Sequence, residues 1–135
     1  MLTTMWEAAR VYAENKVPWR ERGRSSEGVD CLGLVIACSR DIGHDLDPDN
    51  ELYREMNVGT ITRVFAINGA YRVGLDNAQP GDIVYFGDRN ITIMGILSPG
   101  EPLNVVHTPH KNPVVERTFD LRLGRLRGVI RLKGV

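Results

Sequence analysis

The sequence lacks long hydrophobic runs and an excess of either charge. No stretch approaches the roughly 20 apolar residues of a membrane-spanning helix, and residues 1–10 have no basic start followed by an apolar block. We therefore expect neither membrane insertion nor a signal peptide. The 17 basic and 17 acidic side chains cancel, whereas nucleic-acid-binding proteins usually carry a strongly basic surface. The composition therefore argues against nucleic acid as a partner.

Cysteine and histidine are scarce, which limits the kinds of site that the chain can form. Cys31 and Cys38 are seven positions apart, and on one helix this separation is about 10 Å along the axis, beyond the reach of a disulfide. No Cys-x-x-Cys or His-x-x-x-His spacing occurs, so we predict no metal site and no cofactor. The three histidines, His44, His107 and His110, are the candidates for a catalytic base.

The chain has the size and composition of one folded domain. Its 135 residues are 42% hydrophobic, without an internal repeat or a linker, so we predict a single domain over residues 1–135. Helical periodicity comes first and short β-branched or aromatic runs follow. The predicted helices are 2–15, 31–41 and 60–71, and the predicted strands are 83–86, 91–97, 103–107, 114–118 and 127–132. This order predicts an α+β fold in which helices pack on an antiparallel sheet of about five strands.

The segment 28–35, Gly-Val-Asp-Cys-Leu-Gly-Leu-Val, places Cys31 at the start of an apolar helix. Asp30 is the expected N-cap and Gly43 the expected stop. Unpaired N–H groups and the positive end of the helix dipole favour a thiolate at such a position, so Cys31 is a candidate nucleophile. The alternative is that Cys31 is a buried thiol without a chemical role. We interpret Cys38 as a small core residue.

Residues 19–28 are rich in arginine, serine and glycine and are predicted to form a loop that leads to Cys31. Trp19 either stacks on a ligand or packs on the core as a lid. Glu21, Arg22 and Arg24 either border the entrance to a site at Cys31 or form a solvated charged loop. The basic residues near the end of the chain either dock a partner or alternate along a final strand.

Several short motifs together carry a resemblance to a known family. They are Pro18-Trp19, Gly23-Arg24, the segment Gly28-Val29-Asp30-Cys31-Leu32-Gly33-Leu34 and the turn Gln79-Pro80-Gly81-Asp82-Ile83-Val84. The chain resembles the NlpC-type cysteine peptidases, papain-like hydrolases that cut peptidoglycan stem peptides. The loop 23–25 and the closing residues 127–131 look most like the short versions encoded among the tail genes of phages and prophages. The resemblance covers nearly the whole chain and implies the papain-like NlpC-type fold.

The resemblance also implies roles for particular residues. Family members use a cysteine at the helix start, a histidine on the second strand of the sheet and a third polar residue on the next strand. By this resemblance Cys31 is the nucleophile, and His107 occupies the third, orienting position. Ile93, in the stretch 92–96, stands where the base histidine is expected. Isoleucine cannot take a proton.

The missing base decides which function we expect. A positioned general base contributes about 100-fold to 10,000-fold to rate, so we expect an incomplete active site. The expected function is then that of a phage or prophage tail-tip or tail-assembly protein, made in the host cytoplasm, present in the virion tail and bound to other tail proteins. The alternative is an active endopeptidase that cuts peptidoglycan stem peptides during phage entry. It would use Cys31 with His107 as a substitute base, and His110 is a further candidate.

Overall fold

The computed structural model describes residues 2–53, 58–86, 93–119 and 126–133. Its helices are α1 (Met5–Glu14), α2 (Cys31–Asp41) and α3 (Val58–Ile67). Its strands are β1 (Arg24–Ser25), β2 (Gly28–Val29), β3 (Ala70–Val73), β4 (Ile83–Phe86), β5 (Ile93–Pro99), β6 (Leu103–His107), β7 (Val115–Phe119) and β8 (Leu126–Leu132). Short 3₁₀ turns cover Glu51–Tyr53, Leu75–Asn77 and Pro109–Lys111. The predicted α+β fold is confirmed.

Helix α1 starts at Met5 rather than at Leu2 because a capping box forms at Thr4. The backbone N–H of Glu7 donates to Thr4 Oγ1 over 3.2 Å, and the N–H of Thr4 donates to Glu7 Oε1 over 3.2 Å. Two of the otherwise unpaired groups of the first turn are thereby satisfied. The face buried in the core has helical spacing and consists of Met5, Ala8, Ala9 and Tyr12.

Helix α2 is the central helix of the fold and has the predicted bounds. Its residues from Leu32 to Ser39 are all buried, as expected for a helix that is apolar nearly all round. The chain leaves it through Gly43, whose φ of 86° lies in the left-handed region that glycine adopts easily. No described helix is long and apolar enough to cross a membrane.

The main sheet has six antiparallel strands in the order β3-β8-β4-β5-β6-β7, rather than the five that we predicted. The additional strand is β3, which the sequence pattern assigned in part to the third helix. That helix ends at Ile67, where Asn68 Nδ2 donates to the carbonyl of Val64 over 2.9 Å. Gly69 then turns the chain with a φ of 96°, and β3 begins at the next residue.

The two faces of the sheet bury different sets of side chains, because successive residues of a strand point to opposite faces. The face that packs on α1 and α2 carries Ile83, Tyr85, Met94, Ile96, Val106, Ile130 and Leu132. The opposite face carries Val84, Leu97, Val105 and Val129, which pack with Leu103, Phe119 and Leu126. The core therefore extends through both sides of the sheet.

Candidate functional site

The carboxylate of Asp30 caps α2, as predicted. Its Oδ1 accepts from the backbone N–H of Gly33 over 2.6 Å. Its Oδ2 accepts from the backbone N–H of Arg22 over 2.8 Å. One side chain thus satisfies a donor of the first helical turn and also ties the preceding loop to the helix. Cys31 is thereby held at the first position of α2.

Three glycines of the motif are required by close packing around this helix start. A Cβ at Gly33 would overlap the carbonyl oxygen of Gly23, and a Cβ at Gly23 would overlap the carbonyl oxygen of Gly28. A Cβ at Gly28 would lie 2.5 Å from the Cβ of Arg20. Strands β1 and β2 form a small hairpin within this segment, which we had predicted to be a loop. The glycines let the hairpin lie directly against the first turn of α2.

Arg24 anchors the hairpin from the side, and the solvated-loop interpretation is wrong for this residue. Its Nη2 lies 2.8 Å from Asp47 Oδ2, and the two side chains are only 6% and 1% exposed. Asp47 Oδ1 also accepts from the N–H of Glu51 over 2.9 Å. Glu21 and Arg22, by contrast, are exposed. Arg24 therefore has a structural role, as one partner of a buried ion pair.

The thiol of Cys31 is half-buried against the core and contacts the backbone of Met94 on β5. Burial is the main influence on its pKa and raises it. The hydrogen bond with the Met94 backbone lowers the pKa, and the negative charge of Asp30 raises it. The net shift is upward, opposite to the shift expected from the helix start alone. At neutral pH the thiol form therefore dominates.

His107 lies beside Gly95 of β5, the residue after the one whose backbone Cys31 contacts. It ends β6 and is only 3% exposed, and strand alternation places it on the face that carries Val105. A Cβ added to Gly95 would lie 3.4 Å from the Cβ of His107. Cys31 meets the backbone of Met94, the residue before Gly95. The two side chains thus border adjacent residues of one strand.

The loops that lead to Cys31 and away from His107 also contact each other. Lys111 Nζ lies 5.2 Å from the centroid of the Trp19 ring, in cation–π geometry. The N–H of Val114 donates to the carbonyl of Val17 over 2.9 Å. Trp19 is half-buried, so its ring is a contact between two loops rather than a lid enclosed in the core.

Of the other candidate residues, His44 lies away from this point. His44 is exposed and follows the carboxyl end of α2, about 16 Å along the helix from its start. Ile93 begins β5 and pairs through its backbone with Phe86. The side chains of Ile93 and His110 lie outside the described part of the structure. Among the described residues no group of three histidine, cysteine or acidic side chains is arranged to hold a metal ion.

The Pro-Gly-Asp turn before β4 is held by an ion pair. Asp82 is buried and accepts from Arg131 Nε over 2.8 Å and from Arg131 Nη2 over 3.0 Å. It also accepts from the N–H of Gln79 over 3.0 Å. The hydrogen bonds to Asp82 raise the pKa of Arg131. This second motif thus joins the start of β4 to β8, and one arginine of the basic tail is neutralised there.

Solved structures place this architecture among known folds. A lipoprotein-like protein of the NLP/P60 family from Staphylococcus aureus superposes with a TM-score of 0.65 at 18% identity, over 98% of this chain. The NlpC/p60 domain of the peptidoglycan hydrolase SagA superposes with a TM-score of 0.63 at 15% identity, over 96% of this chain. The chain has the NlpC/p60 fold. The predicted resemblance to NlpC-type peptidases is thereby confirmed at the level of structure.

The two NlpC/p60 structures differ in how much of their own length this chain spans. This chain spans 41% of the length of the staphylococcal protein. It spans 97% of the SagA domain. No family model and no curated protein sequence matched the chain. The shared NlpC/p60 fold therefore rests on three-dimensional similarity together with the motifs named above.

Proposed function

We propose that the chain is a non-hydrolytic protein of NlpC/p60 fold that serves as a structural component of a phage or prophage tail tip. The observation that carries the first half of this proposal is Ile93 at the start of β5. The family resemblance assigns the base histidine to this position. The backbone of the next residue, Met94, contacts the thiol of Cys31, which supports the assignment. An isoleucine there can neither accept the thiol proton nor return it to a leaving amine.

The state of the thiol also supports a non-hydrolytic role. Cysteine peptidases attack with a thiolate, which needs a lowered pKa or an adjacent base. Burial raises the pKa of Cys31 instead. Asp30, whose negative charge adds to this rise, is engaged as the helix cap. Cys31 then remains as a vestige of an ancestral nucleophile.

The assembly role rests on sequence features. The loop 23–25 and the closing residues 127–131 resemble the short versions found among phage tail genes. The expected partners are other tail proteins, the expected location is the virion tail, and synthesis would take place in the cytoplasm of the bacterial host. The balance of 17 basic and 17 acidic residues suits a component held by specific protein contacts rather than by a charged polymer.

The alternative is an active endopeptidase, and one observation favours it. Cys31 and His107 border the adjacent residues Met94 and Gly95 of β5. In that case Cys31 would attack a carbonyl of a peptidoglycan stem peptide. His107 would have to take the thiol proton and later protonate the leaving amine, two tasks that the family resemblance gives to a different residue.

Digestion of purified muropeptides, followed by mass spectrometry, distinguishes the two functions. We expect no cleavage by the wild type and none by Ile93→Gln, which is polar but not basic. We expect cleavage by Ile93→His if residue 93 is the base position. Cleavage by the wild type that disappears in Cys31→Ser would overturn the non-hydrolytic proposal and establish the alternative.

The tail assignment is tested on particles induced from the source bacterium. Gold-labelled antibody against the chain should mark one end of the tail in electron micrographs, and the chain should remain with the particles through density-gradient purification. An antibody against a cytoplasmic host protein provides the control. Purified particles without the chain would overturn the tail role, whatever the result of the digestion.

A further inference from the structure

A cavity of about 380 Å³ lies beside the end of α2 that is remote from Cys31. It is bounded by the last turn of α1, by the hairpin of β1 and β2, and by Asp41, the final residue of α2. Asp41 is about 15 Å from Cys31 along the helix axis. Small-molecule sites in proteins usually have volumes of about 300–1,000 Å³, so a small organic ligand fits. The described residues Cys31 and His107 do not line this cavity.

One wall of the cavity is apolar and belongs to the core. Tyr12 and Val17 are 7% and 3% exposed, so packing fixes their side chains in place. Val11, the residue before Tyr12, is 38% exposed and extends this apolar surface to the rim. The wall therefore offers a preformed contact for a short hydrocarbon stem.

The wall formed by the hairpin is polar, and its arginine is already neutralised. Arg24 lies in the buried ion pair with Asp47, which also holds the hairpin in place. Ser25 and Ser26 line the cavity and are exposed, and the N–H of Glu27 donates to Ser25 Oγ over 3.2 Å. Because Asp47 compensates Arg24, this wall supplies hydroxyl groups without adding a net charge.

The carboxylate of Asp41 carries a charge that the fold does not compensate. Asp41 Oδ2 accepts from the hydroxyl of Tyr12 over 3.0 Å. Burial, followed by this hydrogen bond, raises the pKa of Tyr12, so the hydroxyl keeps its proton at neutral pH. The basic neighbour Arg40 is paired with Asp45 over 2.8 Å. Within the described ranges no lysine or arginine forms an ion pair with Asp41.

The ends of two helices add to this negative charge. The carboxyl end of a helix is the negative end of its dipole, so an acidic residue there is unfavourable and a cation is favourable. Asp41 closes α2, and α1 ends beside the same cavity without a basic residue in its last turn. A cation bound in the cavity would offset the cost of placing Asp41 at this position.

We propose that this cavity binds an aliphatic primary amine. The ammonium group donates to Asp41 Oδ1, the oxygen that Tyr12 does not occupy, and the hydrocarbon stem lies on Val11 and Val17. A divalent metal ion needs several oxygen ligands, whereas Asp41 is the one carboxylate among the described lining residues. The same amine occurs on free small molecules and on lysine side chains. Binding here does not depend on whether Cys31 is catalytic.

The test is a ¹⁵N NMR titration of the full chain with n-pentylamine and with its neutral analogue n-pentanol. We expect the amine to shift the amides of residues 11–12, 25–26 and 41. Its affinity at low salt should be at least about fivefold higher than that of the alcohol, because a charged hydrogen bond adds to the shared apolar contact. Binding of the amine should weaken as the salt concentration rises.

A third probe, Nα-acetyl-lysine N-methylamide, distinguishes the two sources of the amine. It carries the same ammonium group between two peptide bonds and should shift the same amides. Tighter binding than n-pentylamine would assign the cavity to a lysine of a polypeptide. Weaker binding would assign it to a free amine.

Two matched variants separate the cavity from the general charge of the region. Asp41→Asn keeps the size of the side chain and an acceptor for Tyr12, and it should lower the affinity for n-pentylamine about fivefold, to that of n-pentanol. Glu14→Gln removes an acidic residue at the end of α1 that lines a different groove, and it should change the affinity less than about twofold. Both residues are exposed, and the dispersion of the amide spectrum shows that each variant is folded.

Three results would overturn the proposal. The first is equal affinity for n-pentylamine and n-pentanol, which would show that Asp41 does not select a cation. The second is the absence of shifts at residues 11–12, 25–26 and 41 with either amine. The third is an equal loss of affinity in Asp41→Asn and Glu14→Gln, which would mean that amines respond to the negative charge of the surface rather than to this cavity.

Discussion

The helix start at Cys31 and the strand pair β5–β6 meet each other, yet they constrain their key residues differently. At the helix start, Asp30 holds two backbone N–H groups and Gly33 has no room for a side chain. At the start of β5, Ile93 pairs with Phe86 through the backbone, and backbone pairing does not require a particular side chain. The contacts of the first region therefore require particular residue types, whereas the backbone pairing of Ile93 by itself does not.

This difference shows which parts of the peptidase-like motif are required by folding itself. The glycines, the aspartate cap and the Pro-Gly-Asp turn are all needed for packing or for buried ion pairs. A base histidine is needed only for proton transfer. The motif around Cys31 is accordingly stronger evidence for the fold than for hydrolysis.

The largest loss of stability is expected from Asp47→Ala, which leaves Arg24 buried without its carboxylate. The substitution also removes the acceptor of the Glu51 N–H. Removing one partner of a buried ion pair lowers the free energy of unfolding by about 3–5 kcal/mol. Urea unfolding measures this loss. The matched control is Glu51→Ala, which breaks the exposed pair with Arg63, whose side chains are 42% and 54% exposed, and should cost under about 1 kcal/mol. Equal losses of stability in the two variants would show that the buried pair of Arg24 with Asp47 contributes no more than an exposed ion pair.

Gly33→Ala should cost somewhat less, about 2–3 kcal/mol, because the added methyl group overlaps the carbonyl oxygen of Gly23. Alanine is the better helix former by about 1 kcal/mol, so helix propensity alone predicts that Gly33→Ala stabilises the protein. Gly74→Ala is the control, since its φ is −64° and its Cβ would meet only Asn77 Nδ2 at 3.6 Å. Chemical denaturation of both variants measures the change in the free energy of unfolding. A Gly33→Ala variant that is more stable than the wild type would contradict the packing argument.

The elements that sequence could predict are those specified by local signals. Asp30 and Gly43 mark the ends of α2, and the apolar residues between them fill one helix, so its bounds were correct. The spacing of Met5, Ala8 and Tyr12 likewise indicated the buried face of α1. Caps and periodicity act within a few residues, and a sequence displays them directly.

The elements that sequence missed depend on distant partners. The pairing of Arg24 with Asp47 spans 23 residues, and nothing in the charged segment before Cys31 indicates it. Strand β3 has four residues and directly follows a helix, so its pairing with β8 decides its structure. The spacing of Gly23, Gly28 and Gly33 was the available signal for the close packing of the hairpin.

The properties of the candidate site also depend on distant partners that the sequence does not display. The helix start alone favours an acidic thiol at Cys31, whereas its burial against β5 has the opposite effect and is larger. His107 was placed by resemblance, and its approach to Gly95 is a consequence of strand register. Which effect controls a titrating group therefore depends on the neighbours that folding brings to it.

The smallest predicted effect concerns this thiol and leaves the fold intact. Iodoacetamide labelling, followed peptide by peptide in a mass spectrometer, gives the pH profile of Cys31 separately from that of the buried Cys38. Because burial raises the pKa of Cys31, the midpoint in the native chain should lie above the ordinary value of about 8.5. In urea both cysteines should return to that value, and the midpoint, unlike the rate, is insensitive to simple shielding. A native midpoint below neutrality would mean that the helix start and a nearby base outweigh burial, and Cys31 would then be an activated nucleophile despite Ile93.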